Sequence, residues 1–241
     1  MTPRSRPPRG LFITLEGTEG CGKSTQAKLL GEHLRNQGYD TVETREPGGT
    51  PLAEKIRSLL LDRADEPVAP ETEAFLVLAA RRQHVAQVIE PALARGSIVL
   101  CDRFIDSTLA YQGYARGLDI ATLERLNRLA THALMPDRTP VFDLPVSTGL
   151  SRRRSAAELN RLDRESLRFH RSVRTGFLDL AKRHPTRIKV LSARASKETV
   201  AHAVARVVTP MLGHIRRGVD HNRPAASRPS PQKSQARHAI R

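Results

Sequence analysis

The run Gly17, Thr18, Glu19, Gly20, Cys21, Gly22, Lys23, Ser24 fits the spacing G-x-x-x-x-G-K-[ST]. Glycines so placed let successive backbone N–H groups turn toward a polyphosphate, and a helix starting directly afterwards adds the positive end of its dipole. Lys23 brings a point charge to the β- and γ-phosphates, and the Ser24 hydroxyl can ligate Mg²⁺. The apolar run Leu11 to Leu15 before it and the helix-forming stretch Thr25 to Leu34 after it supply the strand and helix that separate a phosphate cradle from a chance Gly-rich turn. The residues Gly17 to Thr25 are therefore expected to bind a nucleoside triphosphate.

A second set of polar residues follows: Thr44-Arg45-Glu46-Pro47-Gly48-Gly49-Thr50, then Arg81-Arg82-Gln83-His84, then Asp102-Arg103-Phe104-Ile105-Asp106-Ser107, then Leu109-Ala110-Tyr111-Gln112-Gly113. Guanidinium groups bind phosphate oxygens bidentately, so a rim arginine suits a phosphorylated acceptor.

These residues need a scaffold that gathers them. Five apolar runs read as strands, at Leu11 to Leu15, Asp40 to Thr44, Ser97 to Cys101, Val141 to Leu144 and Ile188 to Leu191, with helical spacing between them. That alternation predicts an α/β fold with a mainly parallel sheet covered on both faces. Ligands of such sheets gather at the carboxyl ends of the strands, which places Glu16, Arg45, Asp102 and Asp143 near one rim.

Taken together, the motifs resemble those of the bacterial thymidylate kinases, in the same order from Gly10 to about Val204. The resemblance implies a five-stranded P-loop NTPase fold in one domain spanning 10–213, with a lid at about 150–165. It implies transfer of the ATP γ-phosphoryl group to dTMP, with Mg²⁺, in a homodimer. The acceptor phosphate has a second pKa of about 6, so no strong general base is needed, and catalysis rests on alignment and charge neutralisation. By the same resemblance, Arg45 and Arg103 hold the dTMP phosphate, with Lys23 and Arg103 close to the transferred group. Asp102 orients Mg²⁺ together with Ser24. Arg81 reaches the thymine edge, Thr108 and Gln112 line the base, Tyr111 packs where a 2′-hydroxyl would clash, and Glu19 contacts the sugar 3′-hydroxyl.

The dense basic segment from Leu150 to Glu165 falls where the family has its lid. Some members carry a catalytic arginine in the phosphate loop where this chain has Gly20. That points to an arginine supplied by the lid, from Arg153, Arg154 or Arg161, with Arg154 and Arg161 preferred. Two positions depart from the family pattern. Val77 stands where a thymine-stacking Phe is usual, so stacking is either weaker or supplied by Phe75 two residues earlier, and Asn160 replaces the Asp before Arg161.

The formal net charge of +15 over 241 residues is unevenly placed. From Arg216 onward seven basic residues face Asp220 alone, and Arg4, Arg6 and Arg9 crowd the start. Residues 1–9 and 214–241 read as disordered basic ends, the latter suited to a weak polyanion contact. No run approaches the ~18 apolar residues of a membrane span. Cys21 and Cys101 read as free thiols of a reducing compartment, hence a cytoplasmic protein. Two other readings remain at this point: a kinase for another nucleotide or nucleoside, and a nucleotide-gated nucleic-acid-binding protein.

Overall fold

The computed structural model describes residues 9–62, 66–154 and 159–215. Residues expected to belong to disordered ends are instead part of the fold: Arg9 pairs with Asp137 at 2.6 Å, and Ile215 is buried in the core beside Val208 and Leu212, because an apolar side chain there still reaches the sheet's hydrophobic face. Residues 1–8 and 216–241, and the middle of the lid segment, lie outside the described residues.

Five strands, β1 (Phe12–Gly17), β2 (Thr41–Arg45), β3 (Ile98–Asp102), β4 (Thr139–Asp143) and β5 (Ile188–Ser192), form one parallel sheet in the order β2-β3-β1-β4-β5. β1 is central and buried along its whole length, as a strand covered on both faces must be. Each strand lies within three residues of its sequence-based position. Arg45, Asp102 and Asp143 end their strands, and Glu16 is the penultimate residue of β1.

One face of the sheet is covered by α1 (Lys23–Asn36) and α9 (Lys197–Val208), whose Leu30, Leu34, Val200 and Val204 pack with Ile13, Leu15 and Leu100. The other face carries α3 (Pro70–His84), α4 (Glu90–Ala94), α6 (Ile120–Ala130) and α8 (Leu167–Arg183). There Phe12 and Phe104 meet edge to face at 4.9 Å. α2 (Pro51–Leu61) packs beside α3, and α7 (Val146–Arg154) leads from β4 into the lid segment.

The helix starts follow local chemistry. Thr50, Asp119, Ser166 and Ser196 cap α2, α6, α8 and α9 with their side-chain oxygens. α1 begins instead at Gly22, in the left-handed region with no side-chain cap, which leaves its first N–H groups facing the phosphate loop. Two π-helical stretches were not anticipated. Val85–Ile89 joins α3 to α4, and Leu109–Ala115 continues the short α5 (Ile105–Thr108). The second carries Tyr111 and Gln112, in keeping with the tendency of π-turns to occur at functional positions.

Candidate active site

The phosphate loop runs from the end of β1 to the start of α1, with Gly17, Gly20 and Gly22 all at positive φ. The Lys23 ammonium is buried in the loop and donates to the carbonyls of Gly17 at 3.1 Å and Thr18 at 2.8 Å. The Ser24 hydroxyl, in the first turn of α1, donates to Oδ2 of Asp102, the last residue of β3, at 2.5 Å. Two hard oxygen donors this close, beside a phosphate loop, fit Mg²⁺. Thr18 and Cys21 are buried within the loop, and Thr25 lies in the first turn of α1.

A cavity of about 330 Å³ opens beside the loop, lined by Glu19, Lys23 and Ser24 on one side and by Arg45, Arg57, Arg81, Arg103, Thr108, Tyr111 and Gln112 on the other. Asp102, Val77, Glu73 and Arg153 complete much of its wall. The structure thus brings together the phosphate loop and all the residues expected from sequence to hold the acceptor. Arg45 is paired with Glu54 at 3.0 Å, whose other oxygen accepts the Gly49 N–H at 2.8 Å. Arg57 donates to the Pro47 carbonyl at 3.0 Å and, by burial and the charge of Arg45, is pushed below the ordinary arginine range. Arg45, Arg57 and Arg103 therefore concentrate positive charge on one side of the cavity.

Arg103 has φ 72°, a left-handed conformation rare for a side chain of this size. The turn is held from below by buried Glu16, whose Oε1 accepts the Phe104 N–H at 2.7 Å and whose Oε2 accepts the Ser107 hydroxyl at 2.6 Å. Burial, reinforced by Asp106, raises the Glu16 carboxyl to about 7 against the hydrogen bonds that lower it. The Arg103 guanidinium donates to the Gly17 carbonyl at 3.1 Å and to Glu19 at 3.2 Å, and sits 5.0 Å from the Tyr111 ring centroid.

Glu19 is the electrostatic hub. Burial alone would raise its carboxyl, but the hydrogen bond from His170, the charges of Arg103 and Lys23 and the Tyr111 hydroxyl hold it well below the usual range. Burial in turn pushes the Tyr111 phenol up.

Arg81 is 1% exposed. It donates to Glu46 at 2.7 Å, Thr108 Oγ1 at 2.7 Å, Asn127 Oδ1 at 2.5 Å and the Phe104 carbonyl at 3.0 Å. Its buried partner Glu46 also meets His84 Nδ1 at 3.0 Å. Val77 lines the cavity, whereas Phe75 is 60% exposed on the outer side of α3. The suggestion that Phe75 substitutes as the stacking aromatic is therefore corrected, because it points to the protein surface.

The preferred lid arginines are placed differently from one another. Arg154 is exposed at the end of α7 and does not line the cavity. Arg161 donates to Glu73 at 2.6 Å and to the Leu60 carbonyl at 3.1 Å. Arg153, ranked behind them, lines the cavity and pairs with Asp163 at 2.9 Å. Asn160 caps this turn, its side-chain oxygen accepting the Asp163 N–H at 3.1 Å. Sequence reasoning missed Arg57, Glu73 and His170, charged or polar groups on helices that carry no motif of their own, and it gave no role to Glu46 although that residue stands in the Thr44 to Thr50 motif.

A phosphate loop on a parallel sheet, facing an arginine-lined wall across the same cavity, defines the class of P-loop nucleotide kinases. The chain matches the thymidylate kinase family profile over residues 15–204. It is similar to the thymidylate kinase of Thermomicrobium roseum, 54% identical over 86% of this chain and 98% of that one. It is also similar to that of Pseudomonas putida, 50% identical over 86% of this chain and all of that one. Among solved structures it resembles thymidylate kinase from Ehrlichia chaffeensis, with TM-score 0.68, 36% identity and coverage of 84% and 99%. The chain belongs to the thymidylate kinase family, the phosphotransferases that phosphorylate dTMP for dTTP synthesis.

Proposed function

We propose that this chain transfers the ATP γ-phosphoryl group to dTMP, giving dTDP and ADP, with the residues of the cavity just described. The observation that carries this reading is the convergence of Lys23 and Ser24 from one side and Arg45, Arg57 and Arg103 from the other on a single cavity. The phosphate loop takes the ATP phosphates, and Arg45, Arg57 and Arg103 take the dTMP phosphate. Arg103, whose guanidinium also reaches the Gly17 carbonyl, spans the two sites. The acceptor oxygen is already largely ionised at neutral pH, so the work left is alignment and neutralisation of spreading charge. Ser24 and Asp102 would hold Mg²⁺, which would neutralise phosphate charge. Glu19 receives the sugar, Tyr111 fills the space of a 2′-hydroxyl, and Arg81, Thr108 and Gln112 meet the base. Arg153, Arg154 and Arg161 are the candidates for a lid arginine, and Arg153 is the one already at the cavity wall.

The catalytic domain spans 10–213 with Arg9 and Ile215 attached to it at either end, and the basic ends beyond them are suited to a weak polyanion contact. Leu52 and Leu59 on α2, Phe75 on α3 and Leu129 on α6 are large apolar side chains at least half exposed, and these helices pack side by side. Such a surface supports a homodimer. No helix among the described residues is long and apolar enough to cross a membrane, in keeping with a cytoplasmic enzyme.

A coupled assay of ADP release across a panel of nucleoside monophosphates tests the reading. ADP release should depend on dTMP and survive removal of the residues after Arg216. Release that is indifferent to dTMP would sink it.

A further inference from the structure

We propose that Glu73 is a positioning residue for base selection: its carboxylate turns the Gln112 amide so that the carbonyl, and not the NH₂, faces the acceptor base. This rests on the reading above that Gln112 meets the base.

Glu73 stands on α3, 1% exposed, at the wall of the cavity. It accepts from Gln112 Nε2 at 2.8 Å, from Arg116 Nη2 at 3.1 Å and from Arg161 Nη2 at 2.6 Å. Burial alone would raise its carboxyl, but the hydrogen bonds from Arg116, Gln112 and Arg161 hold it below the ordinary glutamate range, so it is ionised. An ionised carboxylate has no hydrogen to give. The Gln112 amide can therefore approach it only through its NH₂. A half-turn of the amide would set two acceptors against each other in a buried place, at the cost of an unsatisfied carbonyl and a lost donor.

With one N–H held by Glu73, the NH₂ is turned toward the carboxylate and the carbonyl is the end of the amide turned away from it, on a side chain that lines the cavity. Thymine and uracil carry a hydrogen on N3, whereas cytosine carries a lone pair there. The fixed carbonyl accepts from the first and repels the second. A free glutamine would serve either base by rotating, so the discrimination belongs to Glu73 and not to Gln112 alone. Arg81, a donor at the base edge in the same reading, discriminates separately, so loss of Glu73 should weaken the preference without abolishing it. The same carboxylate also holds Arg161, so the segment carrying Arg161 is fixed to the group that orients the base contact.

The test compares kcat/KM for dTMP and dCMP in the wild type, Glu73→Gln, Gln112→Ala and the double variant, with thermal melting to confirm folding. In Glu73→Gln the variant's own amide can face Gln112 either way round. The dTMP-over-dCMP ratio should fall at least about tenfold, mainly through KM, and the double variant should show no further fall beyond Gln112→Ala. If Glu73→Gln does not fold, Glu73→Asp keeps a negative charge in place while drawing the carboxylate back from Gln112 and the two arginines alike, and the same fall is expected. A ratio unchanged in the folded Glu73 variant, while Gln112→Ala weakens dTMP, overturns the orienting role alone. A Gln112→Ala variant with unchanged KM for dTMP overturns the placement of the base on Gln112, and the proposal with it.

Discussion

Gly20 of the phosphate loop and Gly149 of α7 meet backbone to backbone. A Cβ on Gly20 would lie 2.0 Å from the Gly149 carbonyl oxygen, and one on Gly149 would lie 2.4 Å from the Glu19 carbonyl oxygen. The obstructing atoms are backbone, so neither contact can be relieved by a rotamer change. The helix leading into the lid segment is thus seated on the loop that holds the nucleotide phosphates. Gly149→Ala should force the two apart, lowering kcat and raising KM for ATP at least several-fold while KM for dTMP changes less. Steady-state kinetics with each substrate varied in turn decides this, and unchanged ATP kinetics would show that the seat is not used.

The charges proposed to meet the transferring group give a second expectation. Lys23→Ala and Arg103→Ala should each lower turnover at least about a hundredfold, since removing one preorganised charge from a developing oxyanion costs roughly 3 kcal/mol. Near-normal turnover in either variant at saturating substrates would remove that residue from the site.

Much of this arrangement was legible in the sequence, because the phosphate loop and the strand ends follow from local rules. Glycines at fixed offsets, a strand before and a helix after require no knowledge of distant residues, and Arg45 and Asp102 fall at the rim simply by ending their strands. What was hidden depends on pairing across the fold. Arg57 lies on an α2 face where a charge at helical spacing reads as solvated, and only the Pro-Gly-Gly turn against it reveals that it faces the cavity. Glu73, Arg116 and Arg161 come from three separate segments, and no spacing rule links them. Phe75 and Val77 stand two residues apart on α3, and helical phase sends the aromatic outward and the valine inward. The π-helical stretch that presents Tyr111 and Gln112 shows no signal in composition or periodicity.

Tyr111 offers a separable test of sugar selection. Its ring lies beneath Arg103 and its hydroxyl is bonded to Glu19, so steric exclusion and hydrogen bonding can be varied independently. Tyr111→Phe should keep the preference for dTMP over its 2′-hydroxylated analogue, because the ring remains. Tyr111→Ala should narrow that preference. Equal preference ratios in wild type and Tyr111→Ala would place the discrimination elsewhere.

The apolar surface of α2, α3 and α6 leads to a prediction about assembly. A carboxylate introduced at the exposed Phe75 would have to be desolvated in any interface formed there. Phe75→Glu should therefore shift the molecular mass seen by light scattering from dimer to monomer without lowering the melting temperature of the monomer fold. A mass identical to wild type at every concentration would show that this surface is not the interface.

Glu16 predicts a pH dependence of stability whose sign can be worked out. Its carboxyl titrates at about 7 in the folded chain against an ordinary value of 4.5, with burial the largest cause and Asp106 the next. The folded state holds this proton more tightly than the unfolded state does. Stability from this group is therefore complete below about pH 4.5 and is lost as pH rises toward 7, beyond which the loss is constant. At 1.36 kcal/mol per pKa unit, the full loss is on the order of 3 kcal/mol. Glu16→Gln keeps the neutral form at every pH, and its carbonyl can still accept the Phe104 and Ser107 N–H groups that hold the turn bearing Arg103. Its amide NH₂ can donate to the Ser107 oxygen, which now points the hydroxyl hydrogen away. Urea unfolding of both proteins between pH 5 and 8 isolates the effect, since other titrating groups, including the oppositely shifted Glu19, cancel in the difference. The variant should gain stability over wild type as pH rises through this window. A difference that stays flat would mean that Glu16 is already ionised at pH 5 and that burial does not control it.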